Sequence, residues 1–262
     1  MEIVVCLKQV PTAGTVSIDP RTGALRRESQ PGVTNREDLC ALEEALLLKE
    51  RLGGGVTVLS MGPPQAEMVL REALAMGADR AILLCDKAFA GSDTLATSCV
   101  LAQAVRKLGS FDLILCGKQT SDGNTAQVGP ELAEHLGLPQ VTSVQRLEVF
   151  PGRAVAERAL EAGLQWVETD LPAVITVNRS INVPRQASVQ AVLTACRERE
   201  VTVWKAGDLG IDAGSVGFLG SPTRMVAASQ SAPRKRAGEM LAGTTQEVVH
   251  TLLKRLRQRQ VI

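Results

Sequence analysis

Short apolar runs that alternate with helix-patterned stretches constrain the fold of this chain of 262 residues more than any other feature. Strand-like runs lie near Ile3 to Leu7, Val56 to Met61, Ala81 to Cys85 and Leu113 to Cys116. Between them, Glu37 to Leu52 places Leu39, Leu42, Leu46 and Leu47 near helical spacing, and Gly53, Gly54 and Gly55 then stop it. Pro64 to Met76, with Pro64 suited to a first turn, and Thr94 to Leu108 repeat the pattern. Strands alternating with helices predict an α/β fold, a doubly wound and mainly parallel sheet covered on both faces.

The last of these strands empties into a polar, glycine-bearing loop that opens a helix, which is where an open α/β sheet binds a phosphate. Gly117 and Gly123 let the main chain approach a ligand closely. Ser121, Asp122, Asn124, Thr125 and Gln127 offer short donors and acceptors beside a helix start, where unpaired N–H groups and the dipole favour an anion. No Lys or Arg follows Lys118 until Arg146, so a phosphate there is expected to be held mainly by the backbone. The same residues would equally make a capped helix with nothing bound. Ligands in such sheets lie beyond the carboxyl ends of the strands, so Cys6 to Pro11, Ser60 to Pro64 and the Gly117 loop come into view together, with Asn35 to Asp38 as a fourth wall. Taken singly, Asn35 reads as a helix cap and Met61 as core.

After Val144 the rhythm changes. Val149 to Ala159 and Gly163 to Glu168 predict an antiparallel hairpin with Gly152 and Gly163 near its turns, and Ala173 to Val177 can return to the sheet. Pro184 to Ala195 reads as a loop feeding a short helix with Val189, Val192 and Leu193 on one side. Ser221 to Lys235 has the look of an extended linker, and Thr244 to Arg259 that of an amphipathic helix capped by Thr244 or Thr245. Two parts are therefore expected, an α/β domain over residues 1–220 and an arm with a terminal helix over residues 221–262.

With 45% hydrophobic and 22% charged residues, the chain can bury a sizeable core. The formal balance of +1 gives no reason to invoke nucleic acid, although 12 basic residues face 6 acidic ones from Pro184 onward. The strand-like start lacks a signal-peptide pattern, and no apolar run approaches the ~18 residues needed to cross a bilayer, so a cytoplasmic protein without a transmembrane segment is expected. Cys6, Cys40, Cys85, Cys99, Cys116 and Cys196 form no metal-ligand spacing, and Cys6, Cys85 and Cys116 sit in strand-like runs as small hydrophobes. His135 and His250 read as solvated helix histidines, and no metal site is expected.

The segment GKQTSDGNTAQVGPELAEHLGLPQVTSV, from Gly117 to Val144, resembles the nucleotide-binding signature of the β subunit of electron-transfer flavoproteins. IVVCLKQVP, VTNREDLCALEEALLLKE, VTVLSMGPP, REALAMGADRAILL and KAGDLGID resemble the same family in the same order. The resemblance implies an adenine-nucleotide α-hydrolase-like fold with an antiparallel extension and a C-terminal arm plus helix. It also implies adenine-nucleotide contacts at Cys6, Asn35 and Met61 and at Thr120, Ser121, Asp122, Gly123, Asn124, Thr125, Ala126, Gln127, Val128, Gly129, Pro130 and Glu131. The region of about residues 184–199 resembles the family's recognition loop, in which Val189 stands where a leucine is common and would anchor a partner dehydrogenase. Whether Val189 points outward or packs inward is open from sequence. The arm and terminal helix are implied to reach an α subunit, making a heterodimer.

Family members that only shuttle electrons carry structural AMP, with loops close to DDDxNQTG. DGNTAQVGP, at Asp122 to Pro130, instead resembles the electron-bifurcating branch, whose usual form is DGDTAQVGP and whose β subunit binds a second FAD. It departs at Asn124, where the branch usually has aspartate. GSDTLATS, Gly91 to Ser98, also resembles that branch near its flavin ring, with Thr94 and Thr97 as expected contacts, although a helix N-cap at Ser92 or Asp93 explains half of it. The branch implies hydride acceptance from NADH. One electron then passes to ferredoxin or flavodoxin and the other, through the α-subunit flavin, to an acyl-CoA dehydrogenase-type partner. The redox chemistry belongs to the flavin, and no side chain stands out as acid, base or nucleophile, so the chain is expected to be a carrier subunit rather than an enzyme by itself. A non-bifurcating carrier with structural AMP stays open. An ATP-using α/β enzyme fares poorly, since neither GxxxxGKS/T nor GxGxxG occurs.

Overall fold

The computed structural model describes residues 1–12, 32–223 and 238–262. The chain divides into two compact units, Met1–Val226 and Ala227–Ile262. In the first, β1 (Glu2–Cys6) leads through a short antiparallel pair, β2 (Gln9–Pro11) and β3 (Gly32–Thr34), into helix α1 (Arg36–Leu52). Then follow β4 (Gly55–Met61), α2 (Glu67–Met76), β5 (Arg80–Leu84), α3 (Thr94–Leu108), β6 (Leu113–Gly117) and α4 (Val128–Leu136). A meander of β7 (Gln140–Phe150), β8 (Arg153–Leu160) and β9 (Gly163–Asp170) precedes β10 (Ala173–Val177), α5 (Val189–Arg197), β11 (Val201–Trp204) and the single turn α6 (Gly217–Gly220).

The main sheet has the order β11-β5-β4-β1-β6-β10-β7-β8-β9, parallel from β11 to β7 and antiparallel from β7 to β9. The doubly wound α/β expectation and the antiparallel extension are both met. The chain leaves β1 toward β4 and β5, then crosses back to place β6 on the other side of β1, so the topological switch point lies between β1 and β6. Two apolar layers cover the sheet. Leu42, Leu46, Leu70 and Leu74 of α1 and α2 pack with Ile3, Val5 and Leu115 on one face. Val100, Leu101, Val105 and Leu132 of α3 and α4 pack with Val4, Ile114 and Val174 on the other. The alternation of Ile3, Val4 and Val5 between the layers follows from the two-residue period of a strand.

Several local expectations shift. Leu47 of α1 is exposed, because the buried stripe runs through Ala41, Leu42, Ala45, Leu46 and Leu48. The Val149–Ala159 run is not one strand: β7 extends back to Gln140 and turns at Pro151 and Gly152 into β8. Gly152, with φ of 78°, supplies the left-handed backbone that this tight connection needs. His135 is not fully solvated, since its Nε2 is enclosed without a hydrogen-bond partner. The extended segment expected over Ser221 to Lys235 lies, beyond residue 223, outside the described residues.

In the second unit, α7 (Thr245–Gln258) is capped by Thr244, whose hydroxyl accepts from the Glu247 amide while the Glu247 carboxylate accepts from the Thr244 amide. Its Val249, Leu252 and Leu253 are about half exposed. Among the described residues, no helix is long and apolar enough to cross a membrane.

Candidate nucleotide site

The carboxyl ends of β1, β4 and β6 carry Cys6, Met61 and Gly117 side by side in neighbouring strands, with Cys6 opposite both Leu59 and Cys116. Cys6 and Met61 are both half-buried. The start of α1 then grips the loop that leaves β6. Asn35 donates from Nδ2 to the Gln119 carbonyl at 2.9 Å, and its Oδ1 accepts from the Ser121 amide at 3.3 Å. Glu37 accepts from the Gln119 amide at 2.8 Å. Asn35 therefore makes no side-chain cap for α1, although its sequence position suggested one; its carboxamide is spent on shaping the loop.

Asp38 is the buried centre of this junction. Its Oδ2 accepts from the Lys8 amide at 2.8 Å and its Oδ1 from Asn35 Nδ2 at 2.9 Å, and Gly117 lies directly against it. Burial pushes its carboxyl from 3.8 up to about 7 against the pull of these donors. A single side chain thus ties the end of β1 to the start of α1 and packs against Gly117 at the end of β6.

Beyond Gly117 the loop runs exposed from Ser121 to Thr125, with Thr120, Ala126, Val128, Pro130 and Glu131 half-buried and Gly129 buried. The Lys118 amide donates to the Val177 carbonyl at 2.9 Å and the Asn124 amide to the Thr120 carbonyl at 2.8 Å, which fold the loop into a turn. Asn124 and Ala126 are left-handed, with φ of 50° and 55°. Asparagine tolerates that region better than most residues, which accommodates Asn124 in place of aspartate; Ala126 bears strain of about 1 kcal/mol there. Gly129 has a different reason, because a β-carbon would lie 2.4 Å from Thr176 Cγ2 and push α4 off β10.

The structure also joins the two segments that resemble the bifurcating branch. Thr94 Oγ1, at the start of α3, lies 3.3 Å from Gln127 Oε1 and 3.1 Å from Glu131 Oε1. Ser98, one turn on, donates to Glu131 Oε2 at 3.4 Å. Thr97 is half-buried one turn from Thr94, with no side-chain bond to the loop. Asp93 is the N-cap of α3, accepting from the Ala96 amide at 3.0 Å, so the capping explanation of that segment holds for Asp93. Glu37, Asp38 and Lys8 fall inside the walls expected at Asn35 to Asp38 and Cys6 to Pro11, but no sequence feature gives any of the three a role of its own. Lys8 Nζ bonds both Asp122 carboxylate oxygens, at 2.8 and 2.9 Å, so a cation does stand at the loop after all.

Away from this crevice, Val189 is the first residue of α5 and 79% exposed, so it points outward. Among the described residues, no group of three or more His, Cys, Asp or Glu could hold a metal ion.

The electron transfer flavoprotein domain matches residues 22–209. The chain belongs to the electron transfer flavoprotein family. It is 47% identical over 262 residues to the electron transfer flavoprotein subunit beta of Thermoanaerobacterium thermosaccharolyticum, covering 100% of both chains. It is 44% identical over 264 residues to the caffeyl-CoA reductase-Etf complex subunit CarD of Acetobacterium woodii, again over 100% of both. The acryloyl-CoA reductase electron transfer subunit gamma of Anaerotignum propionicum is 41% identical over 270 residues and 100% of both chains. Electron transfer as a β-type subunit is the role this membership carries.

Proposed function

We propose that the chain is the β subunit of an electron-bifurcating flavoprotein, with the adenylate part of FAD in the crevice between β1, β4 and β6. The observation that carries this reading is the meeting of Thr94 with Gln127 and Glu131, which makes one wall of the two branch-like segments. AMP would use the loop alone, whereas FAD also needs room and small polar neighbours along the Thr94 to Thr97 edge. The donor set fits an adenylate: exposed main chain from Ser121 to Thr125, a left-handed pair at Asn124 and Ala126, and Lys8 held at the loop by Asp122.

When bound, the flavin would supply acceptance of electrons from NADH and their division between two acceptors. The residues of this chain bind and orient. Asn35, Glu37 and Asp38 fix the loop, and Cys6 and Met61 line the floor. Glu131 is held toward Thr94 and Ser98, which sets the edge on which the rest of the dinucleotide would lie. The proposed partners are an α subunit, reached by the arm and α7, and an acyl-CoA dehydrogenase-type flavoenzyme docked on Val189. The names of the caffeyl-CoA and acryloyl-CoA reductase relatives support that partner class. Ferredoxin or flavodoxin would take the other electron, and a cytoplasmic location is proposed with them.

Acid release of nucleotides from the chain co-expressed with its α subunit and supplied with FAD tests the reading. A second equivalent of FAD per heterodimer and no AMP is the expected result. One FAD with one AMP would overturn it in favour of a carrier with a structural AMP.

A further inference from the structure

We propose that Cys6 and Cys116 form a reversible disulfide modification site in the floor of the crevice. β1 and β6 are adjacent parallel strands, and Cys6 is the register partner of Cys116. Neighbouring strands run about 4.8 Å apart, inside the separation of about 4.4–6.8 Å that a disulfide spans between α-carbons. Both side chains enter the same apolar layer, so they project from the same face of the sheet. Of the other cysteines, Cys40, Cys99 and Cys196 lie on helices and Cys85 follows β5, so strand register brings only this pair together.

The two sulfurs differ in access. Cys6 is half-buried at the open end of β1, while Cys116 is 5% exposed beneath the loop. The neighbouring Cys6 and burial push the Cys116 thiol up, and the more accessible Cys6 is the first to react. The oxidant is a peroxide. Its O–O bond breaks as the Cys6 sulfur takes one oxygen, giving Cys6–SOH and water. The Cys116 sulfur then displaces that hydroxyl, forming the S–S bond and a second water, with the Cys116 proton leaving in it. Two electrons pass from the two sulfurs to the peroxide. A thiol reductant reverses the step by exchange.

The consequence for ligand binding rests on the nucleotide reading above. A nucleotide over Cys6 covers the reacting sulfur, so it protects the pair, and the disulfide, by drawing Cys6 toward Cys116, reshapes the floor that the nucleotide lies on.

The test uses the full chain in complex with its α subunit, treated with hydrogen peroxide, with and without added FAD or AMP, then alkylated and digested without reductant. The expected product is a Cys6–Cys116 linked peptide lacking two hydrogens, abolished by dithiothreitol and slowed by added nucleotide. Peroxide treatment that oxidises only Cys196, or that carries Cys6 to sulfinic acid with no linked peptide, overturns the proposal. A linked peptide forming at the same rate with and without nucleotide upholds the pair but sinks the placement of the nucleotide over it. In Cys116→Ser, Cys6 sulfenic acid should persist and be trapped by dimedone. If that variant does not fold, the linked peptide of the unmodified protein still decides.

Discussion

Asp38 Oδ1 stands where a side chain on Gly117 would begin: a β-carbon there would lie 2.2 Å from it. The same β-carbon would lie 2.8 Å from the Asp38 amide nitrogen and 2.9 Å from the Glu37 carbonyl carbon. Two of these three atoms are backbone at the start of α1, so no rotamer change removes the clash. Gly117→Ala should lower stability by about 3 kcal/mol and, if the site holds the proposed nucleotide, release it, because α1 must move off the end of β6. Adding Asp38→Ala should restore little of it. Full recovery in that double variant, measured by urea unfolding, would show that the Asp38 carboxylate alone demands the glycine.

Asp38 also gives the fold a pH signature. Its folded carboxyl is raised from 3.8 to about 7 by burial, so between those values the folded state holds a proton that the unfolded chain has lost. Stability from this group is full below 3.8 and is lost as pH rises through about 7. Asp38→Asn carries no such term. The stability of the unaltered protein relative to that variant should therefore fall as pH rises toward about 7, then level off. A difference that grows with pH over that window, in urea unfolding at a series of pH values, would refute the assignment.

The parallel part of the sheet was legible because each strand is a run such as IVVC or LILC bounded by a helix with its own glycine stop. β11 was not: Val201–Trp204 is four residues long, lies between charged stretches and is a half-exposed edge strand. The β2 and β3 pair escaped too, since Gln9–Pro11 and Gly32–Thr34 meet across a long sequence gap and three residues carry no periodicity. In the site, the loop advertised itself through Gly117, Gly123 and its short polar residues. Asp38 and Lys8 fell inside the expected walls but had no mark of their own, because an acid in a first turn and a lysine after a strand are common. Their role comes from which strand ends the topology makes neighbours, and a local pattern contains no such information. Even Asn35 was legible only as to place, for it bridges to the loop where its position suggested a cap.

Ala126 holds a left-handed φ of 55° without the tolerance that asparagine brings to Asn124 at 50°. Ala126→Gly should relieve that strain and raise stability by about 1 kcal/mol, while Asn124→Ala should lower it by a comparable amount. Thermal unfolding of the two variants in parallel checks the pair. If Ala126→Gly is destabilising, the chain entropy lost on fixing a glycine outweighs the strain, and the strain is smaller than about 1 kcal/mol.

The outward Val189 lies four residues after Arg185, whose ion pairs hold the start of their segment. Arg185 places Nε and Nη2 on Glu43, at 2.9 Å at the closest, and Nη1 on Glu50 at 2.5 Å. Glu43 is only 5% exposed, so removing the guanidinium leaves a carboxylate that water barely reaches. Arg185→Ala should cost about 2 kcal/mol, less than a fully enclosed pair would, because the arginine side chain keeps 31% exposure. The loss should concentrate in residues 184–199, where Asn182 to the Cys40 carbonyl and Arg71 to the Ala195 carbonyl remain as anchors at either end. Hydrogen exchange across that segment should rise ahead of the sheet strands, and binding of the proposed dehydrogenase partner through Val189 should weaken by the ordering free energy lost. Adding Glu43→Gln should recover much of the stability, since it removes the buried charge. Uniform loss of protection over α1 and the sheet, with no recovery in the double variant, would show that Arg185 supports the core rather than the segment.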